Sequence, residues 1–182
     1  YGQMIYEAGH VWWSSDKKFF ENIECNGLEN YNDAIAQGKG VVKLGLHLGT
    51  IEVAARIPSP DYKFSIMRQS IKNPVLNYFI QKKVNQFYEW FPVSARSALK
   101  KLKKNKNIVY LPDLNIKTSE SIFVPFFGIN AATSPAISLF SGYKGSPVVP
   151  MSYYRDNGRY VMTFYPALKN FPTGDAYQDM LI

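Results

Sequence analysis

The sequence predicts an α/β domain with a mostly parallel central sheet flanked by helices, and two observations carry that prediction. Short apolar, β-rich runs alternate along the 182-residue chain with segments whose apolar residues recur at helical spacing. Three polar residues suited to chemistry, His47, Arg68 and Asp113, fall directly after such runs, where open α/β sheets collect ligands. A single domain is expected over residues 1–182, because that length suits one core and 46% of the residues are hydrophobic.

The opening residues, from Met4-Ile5-Tyr6 through Val11-Trp12-Trp13 to Phe19-Phe20, read as one or two short amphipathic helices. The adjacent tryptophans fit either core packing or a belt at a lipid–water boundary. After the break at Gly38-Lys39-Gly40, the run Val41 to Leu46 reads as a buried strand with His47 at its end. Ile51, Val53, Ala54 and Ile57 predict a helix from Leu48 to Ile57, stopped by Pro58 and Pro60. Lys63 to Met67 is a second strand, followed by Arg68.

Asn73-Pro74 opens a further helix, with Val75, Leu76, Phe79, Ile80, Val84 and Phe87 keeping one face. Gln81, Lys82, Lys83, Asn85 and Gln86 take the other. The next helix begins near Ser94, placing Ala95, Ala98, Leu99 and Leu102 inward and Lys100, Lys101, Lys103, Lys104 and Lys106 outward or at its end. Ile108 to Leu111 is a strand that ends at Pro112-Asp113. Phe123 to Gly128 is too rich in proline and aromatics for a central strand and suits the wall of a groove. Ala136 to Tyr143 reads as a helix, and the strands Val148-Val149 and Tyr160 to Tyr165 are joined by a hairpin through Asp156-Asn157-Gly158.

With 21 Lys and Arg against 14 Asp and Glu, the formal net charge is +7, which favours an anionic partner: nucleic acid, a phospholipid surface or an acidic carrier protein. Cys25 is the only cysteine and His10 and His47 the only histidines, so neither an internal disulfide nor structural-zinc spacing is available, and a reducing setting is the simplest reading. No run approaches the length of a membrane-spanning helix and no signal-peptide pattern opens the chain. Because the first residue is Tyr1 and not Met, an upstream segment such as an anchor is expected outside it.

Glu52 lies five residues beyond His47, across a strand-to-helix turn. From there its carboxylate could hold one ring nitrogen and leave the other free as a base, although a histidine satisfied within the structure fits the same residues. The hydrolase elbow, the phosphate-binding loop and the dinucleotide fingerprint are absent, and Ser97 with Lys100 lacks the companion motifs of an S-x-x-K enzyme.

The stretch from Gly40 to Glu52, with His47-Leu48-Gly49-Thr50-Ile51-Glu52 at its end, resembles the catalytic block of the lipid A late acyltransferases, whose signature is His, four residues, then an acid. Met67-Arg68 with Asn73-Pro74 resembles that family's second block, and Tyr110-Leu111-Pro112-Asp113 its Pro-Asp block. Phe123-Val124-Pro125-Phe126-Phe127-Gly128 with Ala131-Ala132-Thr133 matches a further block, and the similarity runs from about Tyr1 to Met180. The resemblance implies a glycerolphosphate-acyltransferase-like fold and acyl transfer, without a cofactor or metal, from a thioester on acyl carrier protein or coenzyme A to a hydroxyl of a lipid A precursor. It implies His47 as general base with Glu52, Arg68 on a phosphate of the lipid acceptor, and Asp113 positioning the acceptor or orienting Arg68. It also implies work at the membrane surface, on the cytoplasmic side of the cell inner membrane, with an anchor upstream and a tail downstream of this stretch. A glycerophospholipid or other glycolipid acyltransferase would use the same histidine and acid. A nucleic-acid-binding module would use Lys100 to Lys106 but lacks stacking aromatics on that helix, so nucleic acid is not an expected partner. A membrane-surface protein that kept the fold but lost activity is a third reading, which the presence of both His47 and Glu52 disfavours.

Overall fold

The computed structural model describes residues 2–48, 51–56, 64–114 and 119–182. Two helices, α1 (Gly2–Trp13) and α2 (Asp16–Phe20), lead into β1 (Ile23–Asn26) and α3 (Leu28–Ala36). Then come β2 (Val42–Leu44), α4 (Ile51–Arg56), β3 (Phe64–Met67), α5 (Pro74–Val84), β4 (Glu89–Phe91), α6 (Ala95–Lys103) and β5 (Asn107–Tyr110). The chain continues through β6 (Ile122–Phe126), β7 (Ile129–Thr133), α7 (Ala136–Gly142), β8 (Val148–Asp156), β9 (Arg159–Phe164) and α8 (Ala176–Asp179). Ile57, Pro58, Pro60, Lys63 and Asn115 lie outside the described residues.

Among the described residues the main sheet has seven strands in the order β1-β9-β8-β2-β5-β3-β4. β8, β2, β5, β3 and β4 run parallel, β9 returns antiparallel to β8, and β1 follows β9. This is the expected α/β architecture with a mostly parallel sheet between helices. The antiparallel exception has a local cause: Asn157 and Gly158 both take positive φ and close β8 onto β9 in a tight turn whose twist matches the strands.

Alternation along the strands sorts the core into two layers. Val41, Val109 and Val149 pack towards α1, α3 and α4, while their neighbours Val42, Ile108 and Val148 pack with Ala98 and Leu102 of α6 and with Ile137 and Phe140 of α7. Helices therefore cover both sheet faces, as a parallel sheet requires. Helix starts follow local chemistry. Asn73 Oδ1 accepts from the backbone N–H groups of Val75 and Leu76, both at 3.0 Å, ahead of Pro74, and Ser94 Oγ accepts from Ser97 N–H at 3.2 Å.

In several places the structure departs from the pattern read in the sequence. The apolar set of α5 does not share one inward face: Ile80 and Val84 turn in, whereas Val75, Leu76, Tyr78 and Phe79 are half or more exposed. The inward side is completed by Asn77, whose Oδ1 accepts from Ile71 N–H at 3.0 Å, and by the partly buried Gln81. Ala95 is exposed, because the first turn of α6 overhangs the layer that buries Ala98 and Leu102. Lys101 does not face solvent freely; it pairs with Glu89 on β4 and lies over the Phe91 ring. Five elements go beyond those read in the sequence: β1, α3, β4, β7 and α8. The segment 123–128 enters a separate two-stranded antiparallel sheet, β6 with β7, rather than the main one. Of the two tryptophans, Trp12 is buried in the core and Trp13 is exposed.

Lys43, in the middle of β2, is fully buried. Its Nζ has no hydrogen-bond partner among the described residues and sits 3.4 Å from the centroid of the Phe64 ring and 5.3 Å from that of Tyr31. Ring faces attract an ammonium, but removal from water outweighs them. Burial lowers the Lys43 pKa from 10.5 to about 7, with a smaller opposing effect from Cys25. Since the folded value is the lower one, the unfolded chain holds the extra proton between about pH 7 and 10.5; the burial penalty is full below that window and fades as pH rises through it. Lys43→Met is therefore expected to stabilise the fold, with the advantage over wild type shrinking by about 1.4 kcal/mol per pH unit across the window. Urea unfolding of both proteins at several pH values measures this, and a pH-independent difference would show that the amine is hydrated or paired in the folded chain.

Candidate active site

β2, β5 and β3 are neighbours and run the same way, so their carboxyl ends open on one edge of the sheet. Those ends carry His47, Asp113 and Arg68 respectively. The segment after β2 is held on both sides. Gly45 N–H donates to Tyr110 O at 3.1 Å, and the Tyr153 hydroxyl on β8 donates to Leu46 O. A Cβ at Gly45 would come 2.8 Å from Met151 Cε and 3.1 Å from Leu111 Cδ2, so those side-chain ends would have to shift to admit it. The next residue but one is thus delivered to a fixed place.

Asp113 takes His47 twice. His47 backbone N–H donates to Asp113 Oδ2 at 2.7 Å, and the ring Nδ1 lies 2.7 Å from Oδ1. With the carboxylate ionised, Nδ1 carries the proton and Nε2 keeps its lone pair in the neutral ring. Among the described residues nothing hydrogen-bonds Nε2, and the His47 side chain is 33% exposed. Burial pushes the Asp113 carboxyl upward, but the hydrogen bonds from the His47 ring and backbone more than offset it and hold the group below the usual carboxylate range. The Asp113 charge in turn helps burial push the Tyr153 phenol up to about 12, so Tyr153 stays a donor to Leu46.

The expected pairing of Glu52 with His47 is not what the structure shows. Glu52 and Arg56 stand one turn apart on α4 and share a face, and α1 and α2 pack on it. Arg56 is buried and donates to Val11 O, to Ser14 O at 2.9 Å and to Asp16 Oδ1 at 2.6 Å, its guanidinium lying over the rings of Phe19 and Phe87. A cation at the carbonyl end of α1 meets the favourable end of the helix dipole. On the same face, Trp12 Nε1–H donates to Glu52 Oε2 at 3.1 Å. Docking of α1 thus claims the glutamate, while strand order brings Asp113 to the histidine.

Arg68 joins the Glu52 group rather than the histidine. Its backbone N–H donates to Phe91 O at 3.0 Å, extending the β3–β4 pairing, and its guanidinium Nη1 lies 3.5 Å from the Tyr88 hydroxyl. The Glu52 carboxylate neighbours this hydroxyl and guanidinium electrostatically. Burial raises the Glu52 pKa, with Arg68, Trp12 and Tyr88 opposing the rise, and burial then Glu52 raise that of Tyr88. Of the four expected site residues, His47 and Asp113 are in direct contact, while Glu52 and Arg68 feel each other's charge without an ion pair or hydrogen bond between them. Trp12, Tyr88 and Tyr153 were not anticipated; an aromatic with a polar tip inside an apolar run is the signal they offered. Among the described residues no cluster of His, Cys, Asp or Glu could hold a metal ion, and no helix is long and apolar enough to cross a membrane.

A family model described as bacterial lipid A biosynthesis acyltransferase matches residues 1–181. Among curated relatives, the chain is 23% identical over 202 residues to a lipid A biosynthesis palmitoleoyltransferase of Escherichia coli K12, covering all of this chain and 62% of that protein. It is 24% identical over 192 residues to the lipid A biosynthesis lauroyltransferase of the same organism, covering 96% of this chain and 59% of the relative. A lipid A biosynthesis acyltransferase of Haemophilus influenzae is 25% identical over 172 residues, covering 91% and 54%. The chain thus spans somewhat more than half the length of these relatives.

Removing the acceptor on which His47 depends should free its backbone. In Asp113→Ala the His47 amide is expected to exchange with deuterium about tenfold faster or more than in wild type. Because Asp113 is held below the usual carboxylate range, wild-type protection should persist at mildly acidic pH and fail only as the pH drops through that depressed value. Unchanged exchange in the variant would mean that Asp113 does not hold the loop.

Proposed function

Because the chain belongs to the bacterial lipid A biosynthesis acyltransferase family, we propose that it moves a fatty acyl group from the thioester of an acyl carrier protein, or of coenzyme A, to a hydroxyl of a lipid A precursor at the cytoplasmic side of the inner membrane. The observation that supports this most is the Nδ1 contact to Asp113 at 2.7 Å, which leaves Nε2 as an exposed base at the carboxyl edge of the sheet.

In this reading Nε2 of His47 removes the proton of the acceptor hydroxyl as its oxygen attacks the thioester carbonyl. The tetrahedral intermediate re-forms its C=O bond as the C–S bond breaks, and the departing thiolate takes the proton from the imidazolium, so no acyl-enzyme forms. Asp113 fixes the tautomer and stabilises the transient imidazolium, the role first expected of Glu52. Tyr88 contacts Arg68 at the end of β3 with the Glu52 charge nearby, and the guanidinium fork receives a phosphate of the lipid acceptor. The acidic surface of a carrier protein suits a chain of net charge +7.

His47→Ala is expected to abolish transfer while leaving thermal unfolding unchanged, and Asp113→Asn to lower kcat by about 10²–10⁴-fold. Arg68→Ala should raise KM for the acceptor and spare that for the donor, with Glu52→Gln showing a milder form of the same split. Wild-type turnover in folded His47→Ala would dispose of the mechanism, and equal effects of Arg68→Ala on both substrates would remove Arg68 from the acceptor site.

A further inference from the structure

The exposed side of α5 is apolar, and its surroundings are basic. Val75, Leu76, Tyr78 and Phe79 form one outward stripe, with Lys82 continuing it and Lys83 at its margin. Nζ of Lys83 lies 6.0 Å from the ring of Trp13, itself well exposed, so the end of α1 adjoins the end of α5. Lys72 precedes the helix, and no Asp or Glu occurs between Asp61 and Glu89. The inward side holds the polar Asn77 and Gln81. Helix α5 thus presents large apolar side chains to the outside and keeps amide groups within.

We propose that the outward face of α5, with Trp13 beside it, seats the protein on a bilayer bearing anionic phosphate headgroups. Valine, leucine and phenylalanine at the centre can enter the acyl boundary, tyrosine and tryptophan suit the headgroup level, and the lysines meet the phosphates. A helix without an acid of its own and flanked by lysines is complementary to that charge and would repel a second copy of itself. Pro74 follows Arg68 by six residues, so the helix rises from the same sheet edge as the site. The inference rests on the reading that the acceptor is a lipid, for which it names the side of arrival. It differs from the lysine face of α6, where Lys101 is already paired with Glu89.

The 182-residue chain would be sedimented with vesicles of phosphatidylethanolamine and phosphatidylglycerol, and with phosphatidylcholine alone, at low and high salt. Wild type is expected to bind the anionic vesicles. V75S/L76S/F79S should lose about tenfold or more in partitioning at either salt, and K82E/K83E should lose binding mainly at low salt. F126S/F127S, equally exposed on the β6–β7 hairpin, should bind as wild type does. Wild type failing to bind, or the triple variant binding fully, would overturn the proposal. So would a wild-type dimer in sedimentation velocity that the triple variant converts to monomer, since the occupant would then be a second copy. Transfer to a detergent-dispersed acceptor should be unchanged in the triple variant; absence of transfer in wild type with vesicle binding intact would defeat the acyltransferase reading and leave this surface standing.

Discussion

Strand β2 is only three residues long, yet it is hydrogen-bonded along both edges by parallel neighbours, β5 on one side and β8 on the other. A strand in that position has no side that faces water, and helices must cover it above and below. Both layers of the core meet at this point. Everything beyond its carboxyl end then inherits a fixed place, because β5 supplies the carbonyl under Gly45 and leads to the carboxylate on His47, while β8 supplies the phenol on Leu46. Arg68 follows one strand further out. The candidate site is a consequence of strand order before it is a matter of individual side chains.

The two acids of the site occupy different electrical settings. Asp113 is shallow and receives two hydrogen bonds from one residue, which keep it ionised. Glu52 lies deeper, beneath an indole, where burial raises its pKa against the opposing pull of Arg68. Arg56 determines that depth, since its hydrogen bonds to the carbonyls of Val11 and Ser14 draw α1 over the first turn of α4. A buried cation thus bears on which acid lies within reach of the histidine.

Features set by neighbouring residues were legible in the sequence. Asn73 and Ser94 cap helices, Asn157-Gly158 makes a tight turn, and the polar residues after apolar runs lie at strand ends whatever the strand order. What failed depended on order or orientation. Glu52 is five residues from His47 along the chain and Asp113 sixty-six, but parallel pairing of β2 with β5 cancels the longer separation. Periodicity in α5 grouped Val75, Leu76 and Phe79 with Ile80 and Val84, and could not say that the first three point outward while the other two turn in. β1 was silent because an edge strand reading Ile-Glu-Cys-Asn, exposed at three of its four positions, has neither apolar continuity nor clean alternation.

Lys43 gives β2 an unusual chemical property. With its pKa lowered to about 7 by burial, the Lys43 amine is about half deprotonated near pH 7, and it regains an ordinary lysine's basicity once it is hydrated. No reagent can touch it while Phe64 and Tyr31 cover it and its exposure is nil. Its modification therefore requires the layer of helices to lift from the sheet, and the rate at which it reacts becomes a clock for that opening. A single side chain at the centre of the fold carries a built-in reporter of how often the whole sheet face is laid bare.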